Sequence, residues 1–365
     1  MLIALGIIVL VIAAVLLVLN YYPAFGVGPS KKRRKALSGS KQYGGKKFVN
    51  AIPTSMETSI GEKFNMLVAF VKGNPQARPD KPIATLRMND LHSAGNGSEP
   101  KLTWFGHSAA MLQLDGKTLL LDPMFGEAPS PFPFIGAKRF SSKLPFEIDQ
   151  LPVIDAVIIS HDHYDHLDYG SIVKLKDKVK RFIVPLGVAP HLIRWGVSPS
   201  IIEEHDWWDE FDYKGIRLAC TPARHFSGRS LSDRDATLWC SWVIKGETAN
   251  LFFSGDSGYG PHFKEIGDKY GPFDLTLMEC GQYDERWAAI HMMPEETVQA
   301  HLDVRGEVLI PIHWGAFTLA LHSWSDPIER AVKAAKAHRV TISTPRIGET
   351  VVIHGASYPS SVWWE

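Results

Sequence analysis

The start of the chain is patterned unlike anything after it. Leu2 to Leu19 carry no charge and no strongly polar side chain. At helical rise this run covers about 27 Å, close to the roughly 30 Å of a bilayer's hydrocarbon. Asn20, Tyr21, Tyr22 and Pro23 follow. Paired tyrosines suit a membrane interface, and proline ends a helix. The pattern predicts one transmembrane anchor within residues 1–23.

Residues 24–100 read as a basic juxtamembrane connector and N-terminal extension, rich in Gly, Ser, Pro and Lys. Gly95-Asn96-Gly97-Ser98 reads as a loop. Met66-Leu67-Val68-Ala69-Phe70 is the apolar patch there, expected to pack on the core rather than touch lipid. From Leu102 the pattern turns regular. Leu102–Leu114, Asp115-Gly116 and Thr118–Leu121 read as a hairpin with a turn that suits Asp-Gly. Ile154–Ser160, Phe182–Pro185, Ile216–Thr221, Leu238–Lys245, Asn250–Ser254, Val308–Ile312 and Gly348–His354 read as strands. Ser171–Val179, Glu295–Leu302 and Ile328–His338 read as helices. Short strands with interspersed helices indicate one mixed α/β domain over 101–355, with 356–365 as a tail. No internal repeat or low-complexity tract is visible.

Charge sharpens this division. Lys+Arg and Asp+Glu are both 39, for zero net charge. Yet residues 1–56 hold eight basic side chains and no acidic one. Lys31-Lys32-Arg33-Arg34-Lys35 comes directly after the apolar run and marks a cytoplasmic flank. The expected topology is single-pass, N-terminus outside, with the catalytic domain cytoplasmic. A cleaved signal peptide fits less well. No Lys or Arg precedes the run, no small-x-small site follows it, and the basic block would resist export. The cysteines, Cys220, Cys240 and Cys280, are odd in number and lack framework spacing, which suits a reducing compartment. A body without basic surplus argues against nucleic acid as a partner.

The chemistry concentrates at strand ends. Ser160-His161-Asp162-His163-Tyr164-Asp165-His166 places three His and two Asp directly after an apolar strand. Imidazole with carboxylate suits a borderline cation such as Zn²⁺. Four ligands in one loop suffice for one metal, and a second metal needs a second set. His225, Asp256 and His313 each follow a predicted strand. Each alone is a weak signal, since a lone His there is more often a satisfied core or surface histidine. Their order and context together carry more weight. Trp207-Trp208, Trp314 and Trp363-Trp364 read as core or terminal residues rather than lipid anchors.

The succession H-x-H-x-D-H, His, Asp, His resembles the metallo-β-lactamase superfamily. The resemblance implies a four-layer αββα sandwich and two Zn²⁺ per chain. It assigns His161, His163 and His225 to one zinc, and Asp165, His166 and His313 to the second. Asp256 bridges them, with a hydroxide shared between the ions. The match extends through Thr103-Trp104-Phe105-Gly106-His107-Ser108, Leu121-Asp122-Pro123, Lys138-Arg139-Phe140 and Pro222 to Arg229. It continues in Gly271-Pro272-Phe273-Asp274-Leu275 and Pro294-Glu295-Glu296. These segments resemble the N-acyl-phosphatidylethanolamine-hydrolysing phospholipases D, over about residues 45–355. The L-ascorbate-6-phosphate lactonase-like group shares the early Gly-His and the metal motif.

That branch implies cleavage of an N-acylated phospholipid to phosphatidic acid and N-acylethanolamine. The alternative is a dizinc lactonase or esterase on a soluble substrate. Asp165 and Asp256 are the expected catalytic carboxylates. Asp122 reads either as a carboxylate orienting a ligand histidine or as a turn Asp before Pro. His291 is a loop histidine on its own, and matches a phosphate-contacting His of the resembled family. Gln282 and Tyr283 are expected to line the entrance. Tyr164 is a candidate substrate contact, against the alternative of packing over the site. The expected partners are a membrane phospholipid and the bilayer, with a homodimer as a possible assembly.

Overall fold

The computed structural model describes residues 2–28, 30–54, 60–88 and 99–365. Three helices come first: α1 (Leu2–Tyr21), α2 (Lys31–Leu37) and α3 (Ile60–Lys72). The first half of the body holds β1 (Lys101–Trp104), β2 (Ala110–Leu114), β3 (Lys117–Leu121), β4 (Ala156–Ile158), α4 (Tyr169–Leu175), β5 (Phe182–Pro185), α5 (Ala189–Arg194) and β6 (Ile202–His205). The second holds β7 (Glu210–Tyr213), β8 (Ile216–Thr221), β9 (Ser241–Lys245), β10 (Asn250–Phe253), α6 (His262–Tyr270) and β11 (Phe273–Glu279). It continues with α7 (Pro294–Asp303), β12 (Gly306–Ile312), α8 (Asp326–His338), β13 (Thr341–Ile342) and β14 (Thr350–Val352).

The strands form two seven-stranded sheets, ordered β14-β1-β2-β3-β4-β5-β6 and β13-β12-β11-β10-β9-β8-β7. In the first, pairing is antiparallel from β14 to β3 and parallel from β3 to β6. In the second, it is antiparallel from β7 to β10 and parallel from β10 to β13. Both halves thus follow one plan, although the sequence shows no repeat.

Burial on both faces explains the near-continuous apolar strands. Leu119 and Leu121 enter the core between the sheets with Leu218, Trp242, Leu251, Leu277 and Ile310. Leu120, Val157 and Val184 point the other way, beneath Ile172, Leu175 and Leu192 of α4 and α5. On the far sheet, Val243, Phe252 and Leu309 pack under Phe263, Ile266, Val298 and Ala335 of α6, α7 and α8. The result is helices, sheet, sheet, helices: the four layers expected from the resemblance.

The Asp115-Gly116 turn is present, with φ of 49° and 70°, as a two-residue hairpin turn requires. Leu102–Leu114 is not one strand. β1 stops at Trp104, and Gly106 and His107, at φ 87° and 55°, turn the chain into β2. The pattern also did not reveal β6, β7 and β11. The first two are short, half-polar edge strands, and β11 carries Asp274 and Thr276 inside an apolar run.

The connector is more than a linker. Phe48 is buried and its N–H donates to the Asp235 carbonyl. Leu86 N–H donates to Ile347 O and Met88 N–H to Pro145 O. Residues 356–365 are likewise docked, with Trp363 stacked 5.1 Å from Trp314 and Trp364 buried. The Gly95–Ser98 loop lies outside the described residues. Helix α1 is long and apolar enough to cross a membrane, and none of its Ala4–Tyr21 window is buried.

Candidate metal centre

The ends of β4, β8, β10 and β12 bring the predicted ligands together. Their chains leave the sheets in loops, so side chains from four strands aim at one point. His161 Nε2 lies 2.9 Å from His163 Nδ1, which lies 3.2 Å from His225 Nε2. His313 Nε2 and His166 Nε2 lie 3.2 Å and 3.5 Å from Asp165 Oδ2. Asp256 Oδ2 sits between the groups, 3.1 Å from His166 and His313 and 3.7 Å from His161 and His225.

Hydrogen bonding on the far side of three of the five rings fixes which nitrogen faces inward. His225 Nδ1 meets Ile290 O at 3.0 Å, His313 Nδ1 meets Gly281 O at 3.3 Å, and His166 Nδ1 meets Asp122 Oδ2 at 2.7 Å. Those acceptors hold the far-side nitrogens, so the Nε2 atoms of these three rings, with Nε2 of His161 and Nδ1 of His163, converge on one another and on carboxylate oxygens. Lone pairs cannot satisfy lone pairs, and cations are what such an arrangement accommodates. Ligands held at ~2.0–2.1 Å around a tetrahedral Zn²⁺ lie about 3.3 Å apart, matching these separations. Asp256 Oδ1 is buried without a hydrogen-bond partner, as a carboxylate reserved for a cation or bound water would be. The residues therefore fit a metal centre, with His161, His163 and His225 on one side, Asp165, His166 and His313 on the other, and Asp256 between.

Electrostatics agree. Burial holds the His161, His163 and His225 imidazoles below their usual value, and so neutral. Burial alone would also depress His313, but the Asp256 and Asp165 carboxylates push it up to about 10. Burial would raise Asp165 and Asp256, yet His166 and its neighbours hold both well below the usual carboxylate range. In the absence of cations, protons gather around the shared carboxylates.

Asp122 satisfies both sequence readings. It occupies a left-handed turn, at φ 37°. Its carboxylate also accepts from Ser160 N at 2.8 Å, Ser160 Oγ at 2.5 Å and His166 Nδ1 at 2.7 Å. This bond orients His166.

Two buried groups, one of them within the matched Thr103–Ser108 segment, were given no role by the sequence reading. His107 Nε2 lies 2.9 Å from Asp165 Oδ2. Burial, then the neighbouring His313, lowers its pKa to about 3. It is thus a neutral donor that steadies Asp165. Its signal was a His in a glycine turn directly after a strand. Glu279 is fully buried at the end of β11 and accepts from His291 Nδ1 at 2.8 Å and Met292 N at 2.6 Å. A Glu closing an apolar strand was its signal.

A cavity of about 300 Å³ opens over the centre, lined by His163, Asp165, Asp256, Gln282, His291 and His313. Met66, Phe226, Trp287, Ile290 and Leu319 supply an apolar wall, with Arg286 beside it. His291 therefore reaches the cavity, held from behind by Glu279. Gln282 lines it too, but its amide is committed to Phe317 O and Leu319 N at 3.0 Å and 2.8 Å. Gln282 thus positions the 317–319 loop. The Met66–Phe70 patch reaches this cavity through Met66.

Tyr164 departs from the expected substrate contact. It is absent from that cavity's lining. Its hydroxyl donates to Arg229 O and its ring lies 4.1 Å beneath the Arg229 guanidinium. It therefore packs against the outer side of the metal loop. The loop turns tightly here, with His166 N–H and Leu167 N–H both donating to His163 O, and the turn carries Tyr164 to the side away from His163 and Asp165.

That outer side is bound to the end of α1. Arg229, 2% exposed, donates to Asp162 O, Leu167 O and Ala24 O. His191 accepts from Val27 N at 2.8 Å through Nδ1, leaving Nε2 to face Asp162 at 3.4 Å. Arg194 donates to Gly26 O and Asn20 O, and Trp195 to Pro23 O.

Two facing sheets with a His/Asp cluster at one end define a metal-dependent hydrolase. The chain belongs to the metallo-β-lactamase superfamily: residues 117–314 match the beta-lactamase superfamily domain. An uncharacterized protein of Mycobacterium tuberculosis H37Rv is 43% identical over 317 residues, spanning 86% of this chain and 84% of that one. The N-acyl-phosphatidylethanolamine-hydrolyzing phospholipase D 1 of Caenorhabditis elegans is 35% identical over 251 residues, spanning 65% of this chain and 69% of that one. The metallo hydrolase Igni18 of Ignicoccus hospitalis superposes with a TM-score of 0.55 at 22% identity, covering 70% of this chain and 99% of the other. That last likeness speaks for the fold alone.

Proposed function

We propose that the chain is a membrane-anchored dizinc phosphodiesterase, cleaving N-acyl-phosphatidylethanolamine or a close relative to phosphatidic acid and N-acylethanolamine. The observation that carries this reading is the composition of the cavity. Its floor is ionic, formed by the ligands and His291, and its wall is apolar, formed by Met66, Phe226, Trp287, Ile290 and Leu319. A lipid phosphodiester needs both: a polar floor for the phosphate and an apolar wall for the chain attached to it. The identity to the nematode phospholipase and the apolar α1 support the same substrate class. The basic flank after α1 supports a cytoplasmic catalytic domain.

Two divalent cations held by the seven ligands would neutralise the phosphoryl charge and supply activated water at neutral pH. The chain's own groups do the rest. Asp256 holds both halves of the centre together, and its unpartnered Oδ1 is placed to accept a hydrogen bond from the attacking water. His107 and Asp122 keep Asp165 and His166 oriented. His291 gives its Nδ1 side to Glu279, which leaves Nε2 to meet a phosphoryl or leaving-group oxygen. Water's oxygen bonds to phosphorus and loses a proton. The P–O bond to the N-acylethanolamine breaks, and that oxygen takes up a proton.

The test is product analysis with purified, zinc-loaded protein and N-acyl-phosphatidylethanolamine in mixed micelles, with Asp256→Asn as control. Release of phosphatidic acid and N-acylethanolamine by the wild type alone is expected. No release from a fully metallated protein would sink the lipid assignment and redirect the search to lactones and soluble esters.

A further inference from the structure

Ser130-Pro131-Phe132-Pro133-Phe134-Ile135-Gly136 is an exposed loop beside the end of α1. Two prolines restrict its backbone, so its apolar side chains cannot easily fold inward. Phe134 is 77% and Ile135 53% exposed. Isolated apolar residues are common on soluble surfaces, but adjacent large ones held out on a stiff loop are not.

The location of this loop identifies what covers it. Phe132 stacks on Tyr22 with ring centroids 4.9 Å apart and meets Phe25 edge-on at 5.9 Å. Phe134 follows Phe132 at 5.9 Å. An unbroken row of rings therefore runs from the foot of α1 to the loop tip. Tyr21, 74% exposed, lies at the same foot, where aromatic side chains favour the headgroup level. The groove beside the loop carries exposed Lys143 and Lys174 and exposed Glu127, Glu147 and Asp149, so the contact rests on the apolar side chains rather than on charge.

We propose that Phe134 and Ile135 form a second membrane contact, inserting into the interface of the bilayer that α1 crosses. This rests on the membrane reading of α1 given above. The foot of α1 is not a free hinge, because Arg194, Trp195 and Arg229 hydrogen-bond to its backbone and to the segment after it. A catalytic body fixed there and touching lipid at the loop cannot swivel about the anchor. It meets the lipid surface in one orientation.

The experiment uses the full chain in vesicles of phosphatidylethanolamine and phosphatidylglycerol. Single cysteines replace Phe134 (Phe134→Cys), Leu10 in α1 (Leu10→Cys) and Glu247 at the far end of β9 (Glu247→Cys). Each carries a nitroxide. The three native cysteines are buried, and unsubstituted protein gives their labelling background. Relaxation by oxygen, which partitions into lipid, is compared with relaxation by a water-soluble nickel chelate. Oxygen should dominate at positions 10 and 134, and the chelate at 247. If 134 behaves like 247 while 10 stays in lipid, the loop contact is overturned and the anchor stands. If position 10 itself is aqueous, the anchor reading and the loop contact fall together.

Discussion

The loop from His161 to Leu167 has two sides, and they are built on opposite principles. On the inner side, His161, His163, Asp165 and His166 present acceptors to acceptors. On the outer side, donors meet acceptors: Asp162 receives Gly228 N at 2.8 Å, Leu167 O receives Arg229 at 2.8 Å, and the Tyr164 hydroxyl donates to Arg229 O. The outer side is held by hydrogen bonds between its groups, with only Arg229 Nη2 and His191 Nε2 of those named left buried without one, whereas the inner side forms the candidate metal centre. One seven-residue stretch thus presents the candidate ligands on one side and the supporting contacts on the other. The support comes from the segment that links α1 to the body.

Metal removal should break the comparison most sharply. Chelation, or Asp256→Asn, should lower turnover by more than about a hundredfold, since even supporting partners of a ligand are worth 10–100-fold. Asp256→Asn should also reduce bound metal from two ions towards one, read by elemental analysis. Full metal content with full activity would remove Asp256 from the bridge. The outer side should respond differently. Arg229→Met deletes a buried cation and its bonds to Ala24, Asp162 and Leu167, at about 2–4 kcal/mol of stability. Denaturant melts would show this, and protein kept cold should still bind metal. Unchanged stability would mean that the outer side supports nothing.

The same two-sidedness bears on what the sequence could reveal. The seven candidate ligands, which the structure brings together, stood out because each follows an apolar strand and their order resembles that of a known family. Several strand and helix cores, such as Phe182–Pro185, Ile216–Thr221 and Ile328–His338, were legible from periodicity. For Tyr164 the sequence left substrate contact and packing as alternatives, because a residue between two candidate ligands looks like a site residue, and only the turn closed on His163 O shows that it packs outward. Residues 24–100 read as a linker because their composition is that of loops. Composition cannot show that Asn50 bonds both the N–H and the C=O of His225. Nor can it show that a backbone carbonyl at Ala24 is the partner of Arg229. Those contacts are long-range and involve backbone atoms, which carry no residue-specific signal.

Smaller effects sharpen the comparison. Asp122→Asn leaves the ligands intact but weakens the hold on His166. Metal affinity at that half of the centre should fall about 10–100-fold, measured by competition with a chromophoric chelator. An unchanged affinity would make Asp122 a turn residue only. On the outer side, Gly26 has φ 68°, and a Cβ there would lie 2.0 Å from His191 Nδ1. Gly26→Ala should cost about 1–3 kcal/mol by forcing that contact apart, with metal content unaltered. A neutral result would mean that the segment after α1 can lift from His191 at no cost.

The smallest effect supplies a baseline for both sides, because each contains histidines and acid perturbs them together. His301 belongs to neither. It lies on α7, buried, with Nδ1 2.7 Å from Thr276 Oγ1, and burial lowers its pKa from 6.5 to about 4. A depressed value means that the unfolded chain binds the proton more readily. The stability this residue contributes is therefore full above pH 6.5 and is lost as pH falls towards 4. Between pH 7 and 5.5 the loss should be about 1 kcal/mol. His301→Gln should remove that share of the slope in urea titrations of metal-free protein. Acid sensitivity that survives the substitution then belongs to the loop, and comparing metal-free with metal-loaded protein assigns it to the inner or the outer side. If the slope does not change at all, His301 is already protonated in the fold, and its burial is less complete than its packing under α7 indicates.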